Sequence, residues 1–278
     1  MGRASPSPHP AAVYGLLEEL RAAAKEDRPL VVAGARELAA ALRRELTRGG
    51  VASAVRGQDA VEDAAALVYV LAESLDEEAE ATMRAAERAR VPIVCVVTGP
   101  VEAGAPRIPY VLATDVVRVP SGSGFPIDEI ARALVRRLGE RATPLAARLP
   151  VLRRPVSEEL IARFSRQNAL IGAATFVPGA DMPALTLNEL RLVLRIADAH
   201  GFELDRARLP ELLAVIGSGF GFRGVARKAL AVIPLAGWAV KGGIAYAGTR
   251  ALGEAALRYF ERRAPVTRVA GERARFPR

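Results

Sequence analysis

Residues 66–98 read ALVYVLAESLDEEAEATMRAAERARVPIVCVVT. Two apolar runs, 66–71 and 92–97, enclose a charged segment at 76–90. Neither run alternates with polar residues. Each therefore predicts a strand covered on both faces, the habit of a parallel sheet. The charged segment opens with Asp76, Glu77 and Glu78, which suit the positive end of a helix dipole. Strand, helix and strand in this order predict one βαβ unit.

The same grammar extends outward. Residues 30–34 (LVVAG) predict a strand, and 36–48 a helix with Leu38, Leu42 and Leu46 on one face. Short strands are expected at 51–55 and 116–119, and a helix at 126–138 with Ile127, Ile130, Leu134 and Leu138 in register. Ahead of the first strand, Val13, Leu16, Leu17 and Leu20 have helical spacing. The first part is thus read as an α/β parallel-sheet domain over 13–140, behind a Pro/Ser tail at 1–12 expected to be disordered.

The pattern ends near residue 140. Residues 141–156 (RATPLAARLPVLRRPV) hold three prolines and four arginines and read as a linker or docking arm. No strand signal follows. An all-α, glycine-rich domain is expected over 157–262, and a loose basic tail over 263–278. Its first helix is expected to be capped by Ser157 and to run to about residue 175. A turn follows with Pro178, Gly179, Asp181 and Pro183, where Asp181 would satisfy backbone N–H groups. Thr186 to Glu189 has the form of a capping box, opening a helix that His200 and Gly201 close. Further helices are expected at 210–216, 225–233 and 236–262, with a glycine-rich turn at Gly217, Gly219, Gly221 and Gly224.

The chain has 278 residues, 51% of them hydrophobic and 25% charged, which excludes disorder throughout. Its net charge is +8. Residues 1–150 are close to neutral at −1, whereas 151–278 carry +9. A single cysteine, Cys95, excludes an intramolecular disulfide, and with only His9 and His200 it fits a reducing compartment. Residues 1–10 contain no apolar signal core, so a cytoplasmic location is expected.

The turn after residues 30–34 is where a nucleotide-binding α/β domain would place its phosphate loop. Such a loop needs G-x-x-x-x-G-K-[ST], with a lysine for the terminal phosphates and a hydroxyl for magnesium. From Gly34 the corresponding last three positions are Ala39, Ala40 and Ala41. Gly34 itself reads as a tight strand–helix turn, with weak anion attraction from the helix end as its alternative. Ser121, Gly122, Ser123 and Gly124 form a second weak candidate cradle, at a strand–helix junction but without a lysine. Asp76, Glu77, Glu78 and Glu80 read as a solvated helix start rather than a metal site. No catalytic set can be assembled, and no cofactor or metal is expected.

Residues 66–99, with 116–140 behind them, resemble the later elements of an Era-like, translation-factor-type GTPase domain, and the likeness covers about residues 28–140. Where that family has Asn-Lys-x-Asp, this chain has Thr98-Gly99-Pro100-Val101, and no Asp-x-x-Gly follows a strand before residue 66. The resemblance therefore implies the fold of a GTPase without its chemistry, a pseudo-GTPase.

The second part carries a weakly charged span at 229–249, whose one charge is Lys241. As a helix it would reach about 31 Å, the thickness of a bilayer core. Lys241, Pro234 and the arginines on both flanks disfavour a crossing and suit a segment lying on an anionic surface. Ala239, Gly243, Ala247, Ala251 and Ala255 recur every four residues, a small-residue stripe for close helix packing. Trp238 is a candidate interfacial anchor. Residues 167–201, with Pro178-Gly179-Ala180-Asp181-Met182-Pro183 as their most specific part, resemble a bacterial domain of unknown function often found with Era-type GTPases. That resemblance, over about 157–262, implies membrane association and no established reaction.

The function expected from these readings is a non-catalytic adaptor. A protein partner or self-association is expected, with the anionic cytoplasmic face of the inner membrane as the candidate surface. The alternatives are a divergent nucleotide-binding GTPase or ATPase without the phosphate-loop lysine, and a nucleic-acid-binding protein. The last is least favoured, for want of aromatics and of a recognised motif.

Overall fold

The computed structural model describes residues 26–72, 75–99, 108–120, 122–174, 182–202 and 238–263, with Gly15, Leu16, Glu18, Glu19 and Ala22. The chain divides into two compact units. One comprises Lys25–Val156 with Pro265–Arg273; the other comprises Met1–Ala24, Ser157–Ala264 and Ala274–Arg278. The glycine-rich turn at 217–224, the helices expected at 210–216 and 225–233, and both chain tails lie outside the described residues.

The first unit is a five-stranded sheet. Its strands are β1 (Leu30–Gly34), β2 (Val55–Arg56), β3 (Ala66–Leu71), β4 (Ile93–Thr98) and β5 (Val116–Val119), in the order β2-β1-β3-β4-β5. Every pairing is parallel. The unbroken apolar runs are explained by burial on both faces: all six residues of β3 are buried. Helices α1 (Arg36–Leu46), α2 (Glu77–Arg88) and α3 (Ile127–Leu138) connect or follow the strands. Leu42 and Leu46 of α1, Met83 of α2 and Leu134 of α3 are fully buried. Asp76 caps α2, its Oδ1 accepting from the Ala79 amide at 2.7 Å. The same helix ends two residues earlier than its sequence pattern. Arg90 turns into the left-handed region at φ 55°, Val91 N–H bonds Ala86 carbonyl at 2.8 Å, and Pro92 enters β4.

Residues 141–156, read as a linker or docking arm, are packed structure. They form α4 (Ala142–Arg148), a single 3₁₀ turn at Pro150–Leu152, and the start of α5 (Arg153–Ala174). Ala142, Leu145, Ala146, Leu149 and Leu152 are buried. Each of the three prolines falls in the first turn of a helical segment, where the missing N–H would have had no partner. The segment also grips the sheet. Arg148 donates from Nη1 to Asp27 carbonyl and from Nη2 to Arg28 carbonyl, both at 2.7 Å, and its own carbonyl accepts from Val51 N–H at 2.9 Å. Burial pulls the Arg148 guanidinium below its ordinary pKa. At Gly50 a Cβ would meet the Arg148 carbonyl oxygen at 2.7 Å, so a side chain there would push the segment off.

The second unit is helical, with α5 from Ser157 onward, α6 (Met182–Ala199) and α7 (Trp238–Arg263). Two helix starts differ from expectation. Ser157 is fully buried inside α5 instead of capping it, and α6 begins at Met182, so Thr186 lies in its second turn. Leu16 is buried, and Glu19 pairs with Arg195 at 3.1 Å and Arg191 at 3.8 Å. The N-terminal segment therefore groups with the helical unit, although the α/β unit separates them in sequence.

The strand–helix turn after β1 generates a test. Gly34 has φ 101°, and a Cβ on it would stand 2.1 Å from the Val70 carbonyl oxygen. Gly34→Ala is expected to cost about 3 kcal/mol. The measurement is urea unfolding of the full chain, with hydrogen exchange followed at residues 30–34 and 66–71. Unchanged protection there would mean that β1 and β3 do not need this approach.

Candidate functional site

In an open parallel sheet, ligands bind beyond the carboxyl ends of the strands, where the order reverses. For the order β2-β1-β3-β4-β5 that point lies between β1 and β3. Gly34 and Ala35 stand there. Ala35 N–H donates to Val70 carbonyl at 2.9 Å, and Ala39 N–H to Ala35 carbonyl at 2.7 Å. The glycine's positive φ and missing Cβ permit this backbone contact. No side chain caps α1, and its first turn presents Arg36 and Glu37 to solvent. Ala39 is buried, while Ala40 and Ala41 are half-buried.

The neighbouring strand ends are similarly closed. Thr98, which stands where the GTPase resemblance would put the guanine-reading asparagine, donates its hydroxyl to Leu71 carbonyl at 3.2 Å. Gly99 has φ 133° and its N–H reaches Val119 carbonyl at 3.4 Å. At the second candidate cradle, Ser123 N–H donates to Pro120 carbonyl at 3.1 Å, and Gly122 has φ 78°. Gly122, Ser123 and Gly124 are exposed, and Ser121 lies outside the described residues. The helix beyond opens with Asp128 and Glu129, whose charge opposes an anion. Cys95 is fully buried in β4, and that burial pushes its thiol up to about 12, far from a reactive thiolate. Among the described residues no cluster of three or more His, Cys, Asp or Glu is placed to hold a metal ion.

In the helical unit, three helices meet through glycine and amide contacts. A Cβ on Gly242 would meet Ala169 carbonyl oxygen at 2.9 Å, one on Gly172 would meet Ala245 Cβ at 3.0 Å, and one on Gly253 would meet Ile161 Cγ1 at 2.5 Å and Leu192 Cδ2 at 3.1 Å. Asn168 is fully buried. Its Nδ2 donates to Thr249 Oγ1 at 2.8 Å, and its Oδ1 accepts from Asn188 Nδ2 at 3.0 Å. One amide thus ties α5, α6 and α7 together. Further along, Phe260 packs against Phe202 at 5.2 Å and His200 at 6.1 Å between ring centroids. His200 Nδ1 lies 2.9 Å from Ile196 carbonyl; since a carbonyl only accepts, Nδ1 carries the proton. Gly201, at φ 79°, then closes α6.

The stripe read from the sequence faces elsewhere. Gly243, Ala247 and Ala251 are exposed and Ala255 is half-buried. Trp238 and Ala239 fall in the first turn of α7, with side chains outside the described set. The close approach is made by Gly242 and Gly253, which sequence reading passed over. Their signal was the pairing of glycines on one helix with Gly172 on another, together with Asn168 in an uncharged run. Of the turn residues, Pro183 is the second residue of α6, and Pro178, Gly179 and Asp181 lie outside the described residues.

Residues 136–273 match the family model of a domain of unknown function (DUF697), which begins inside α3 and covers the helical unit's C-terminal part. No curated protein and no solved structure matches the chain.

The Asn168 node is testable. Thr249→Val removes an acceptor and leaves a buried amide N–H unsatisfied, at a cost of about 1–3 kcal/mol. Replacing the whole node, as Asn168→Leu with Asn188→Leu and Thr249→Val, is expected to recover most of that loss. Urea midpoints of the two variants decide the matter. Equal losses would mean that the amide is not the cause.

Proposed function

We propose that the chain is a non-catalytic adaptor. Its α/β unit has the part of a pseudo-GTPase domain and offers a protein-binding surface. Its helical unit docks on the anionic face of the cytoplasmic membrane. One observation carries the reading: at the sheet's switch point the backbone of Gly34–Ala35 is engaged by Val70, and the sequence holds Ala39, Ala40 and Ala41 where a phosphate loop has its lysine and hydroxyl. Thr98, at the base-reading position, is engaged by Leu71. The strand order and the Era-like resemblance of residues 28–140 support a fold retained without its chemistry.

The docking half of the proposal is supported by the charge of +9 on residues 151–278 and by the apolar character of the same stretch. No described helix is long and apolar enough to cross a membrane; the proposed contact is interfacial, as Lys241, Pro234 and the flanking arginines favour. Self-association through the exposed face of α7 is the competing use of the same unit, favoured by Gly243, Ala247 and Ala251 standing open.

Two measurements test the reading. Titration of the full chain with GTP or ATP and magnesium is expected to give no saturation up to about 1 mM, against the micromolar range of working sites. Saturable micromolar binding would overturn it in favour of a divergent nucleotide-binding enzyme. Sedimentation with anionic vesicles is expected to pellet the protein at low salt and release it as salt rises. Retention in the supernatant at low salt would remove the membrane from the proposal.

A further inference from the structure

The N-terminal segment is helical at Gly15, Leu16, Glu18, Glu19 and Ala22. It belongs with the helical unit, which resumes only at Ser157. Its seat is on α6, where Arg191 and Arg195 stand one turn apart. Arg195 Nη2 donates to Glu19 Oε1 at 3.1 Å, and Arg191 Nη2 lies 3.8 Å from Glu19 Oε2. Two guanidinium groups converging on one carboxylate select an acid at this position. Leu16, three residues earlier and on the same helix face, is 1% exposed. The seat thus reads a leucine and an acid at helical spacing.

The segment is held firmly by its tether and lightly by its seat. Residues 23–25 alone join Ala22 to Glu26. The main chain just beyond is fixed, because Arg148 holds the Asp27 and Arg28 carbonyls, both at 2.7 Å. On the seat, the Glu19 side chain is 51% exposed and that of Arg191 36%, and ion pairs so exposed contribute little to holding a helix down. A helix seated on one compact unit and tied by a three-residue hinge to a fixed point of another is an element that like chains exchange.

We propose that the N-terminal helix is exchanged between two copies of this chain, each seating its Leu16 and Glu19 on α6 of the other. The occupant is a second copy because the helix seen to fit this seat is the chain's own. Exchange reproduces the contacts of the closed chain and needs a new path only at residues 23–25, so the two states differ little in free energy and concentration decides between them. A released helix turns Leu16 to water, which drives it back to a seat on either chain. The proposal is independent of the membrane-docking reading, and it uses a surface other than the exposed face of α7.

The experiment mixes two full-length variants. One carries Glu19→Arg, the other Arg191→Glu with Arg195→Glu, and each alone faces its seat with a like charge. Together they satisfy both seats by exchange and in no other way. Sedimentation equilibrium up to about 0.5 mM is expected to show a heterodimer about tenfold tighter than either variant's self-association. A mixture that sediments as the sum of its parts overturns the proposal. So does a dimer formed equally by each variant alone, which would place the contact elsewhere. A second measurement leaves the seat intact. A peptide of residues 11–24 is titrated into full-length Glu19→Arg, a substitution at an exposed side chain. Saturable binding below about 1 mM is expected, weakened about tenfold or more when the peptide itself carries Glu19→Arg. No binding at that concentration, or equal binding of the two peptides, overturns the exchange.

Discussion

A single buried amide sets the register of the helical unit. Asn168 has no contact with solvent, and its donor and acceptor are satisfied only when Thr249 and Asn188 stand at its own level. A slip of one turn, about 5.4 Å, would strand the amide in apolar surroundings. The glycines impose the same alignment by another route. Gly172, Gly242 and Gly253 lie where any Cβ would strike a backbone oxygen or a core side chain on the neighbouring helix. Hydrogen-bond satisfaction and close packing agree, so which helix ends coincide is not left to the hydrophobic effect, which has no direction.

The α/β unit is governed by a different closure. Its sheet has a switch point between β1 and β3, and the strand ends on that edge bond to one another through Ala35 to Val70, Thr98 to Leu71 and Gly99 to Val119. A phosphate site at such an edge needs free N–H groups and a cation aimed at one place. At this edge the Ala35 and Gly99 N–H groups and the Thr98 hydroxyl are engaged by strand carbonyls.

How far the sequence was legible follows from where its signals come from. The strands at 66–71 and 93–98 were plain, because burial on both faces demands unbroken apolar residues. The triple alanine at 39–41 was equally plain, since a missing lysine is visible without coordinates. Residues 141–156 were legible only as a linker or docking arm because proline is ambiguous: it ends a helix from inside but starts one from its first turn, and all three prolines here stand in a first turn. The capping box at Thr186 was a local pattern, and α6 extends back past it to Met182. The stripe on α7 was legible only in part. Spacing of four finds a face, but it cannot say whether that face meets a helix or solvent, and Gly242 on the adjacent face is the one that meets Ala169.

Amphipathicity is ordinarily sought around a helix axis, where period 3.6 separates an apolar face from a polar one. In α5, α6 and α7 charge is unevenly spread along the axis, and each helix alone shows only a stretch of 7 to 12 residues with at most one charge. Such a stretch resembles any buried segment. It acquires meaning when the Asn168 node brings the three stretches to one level.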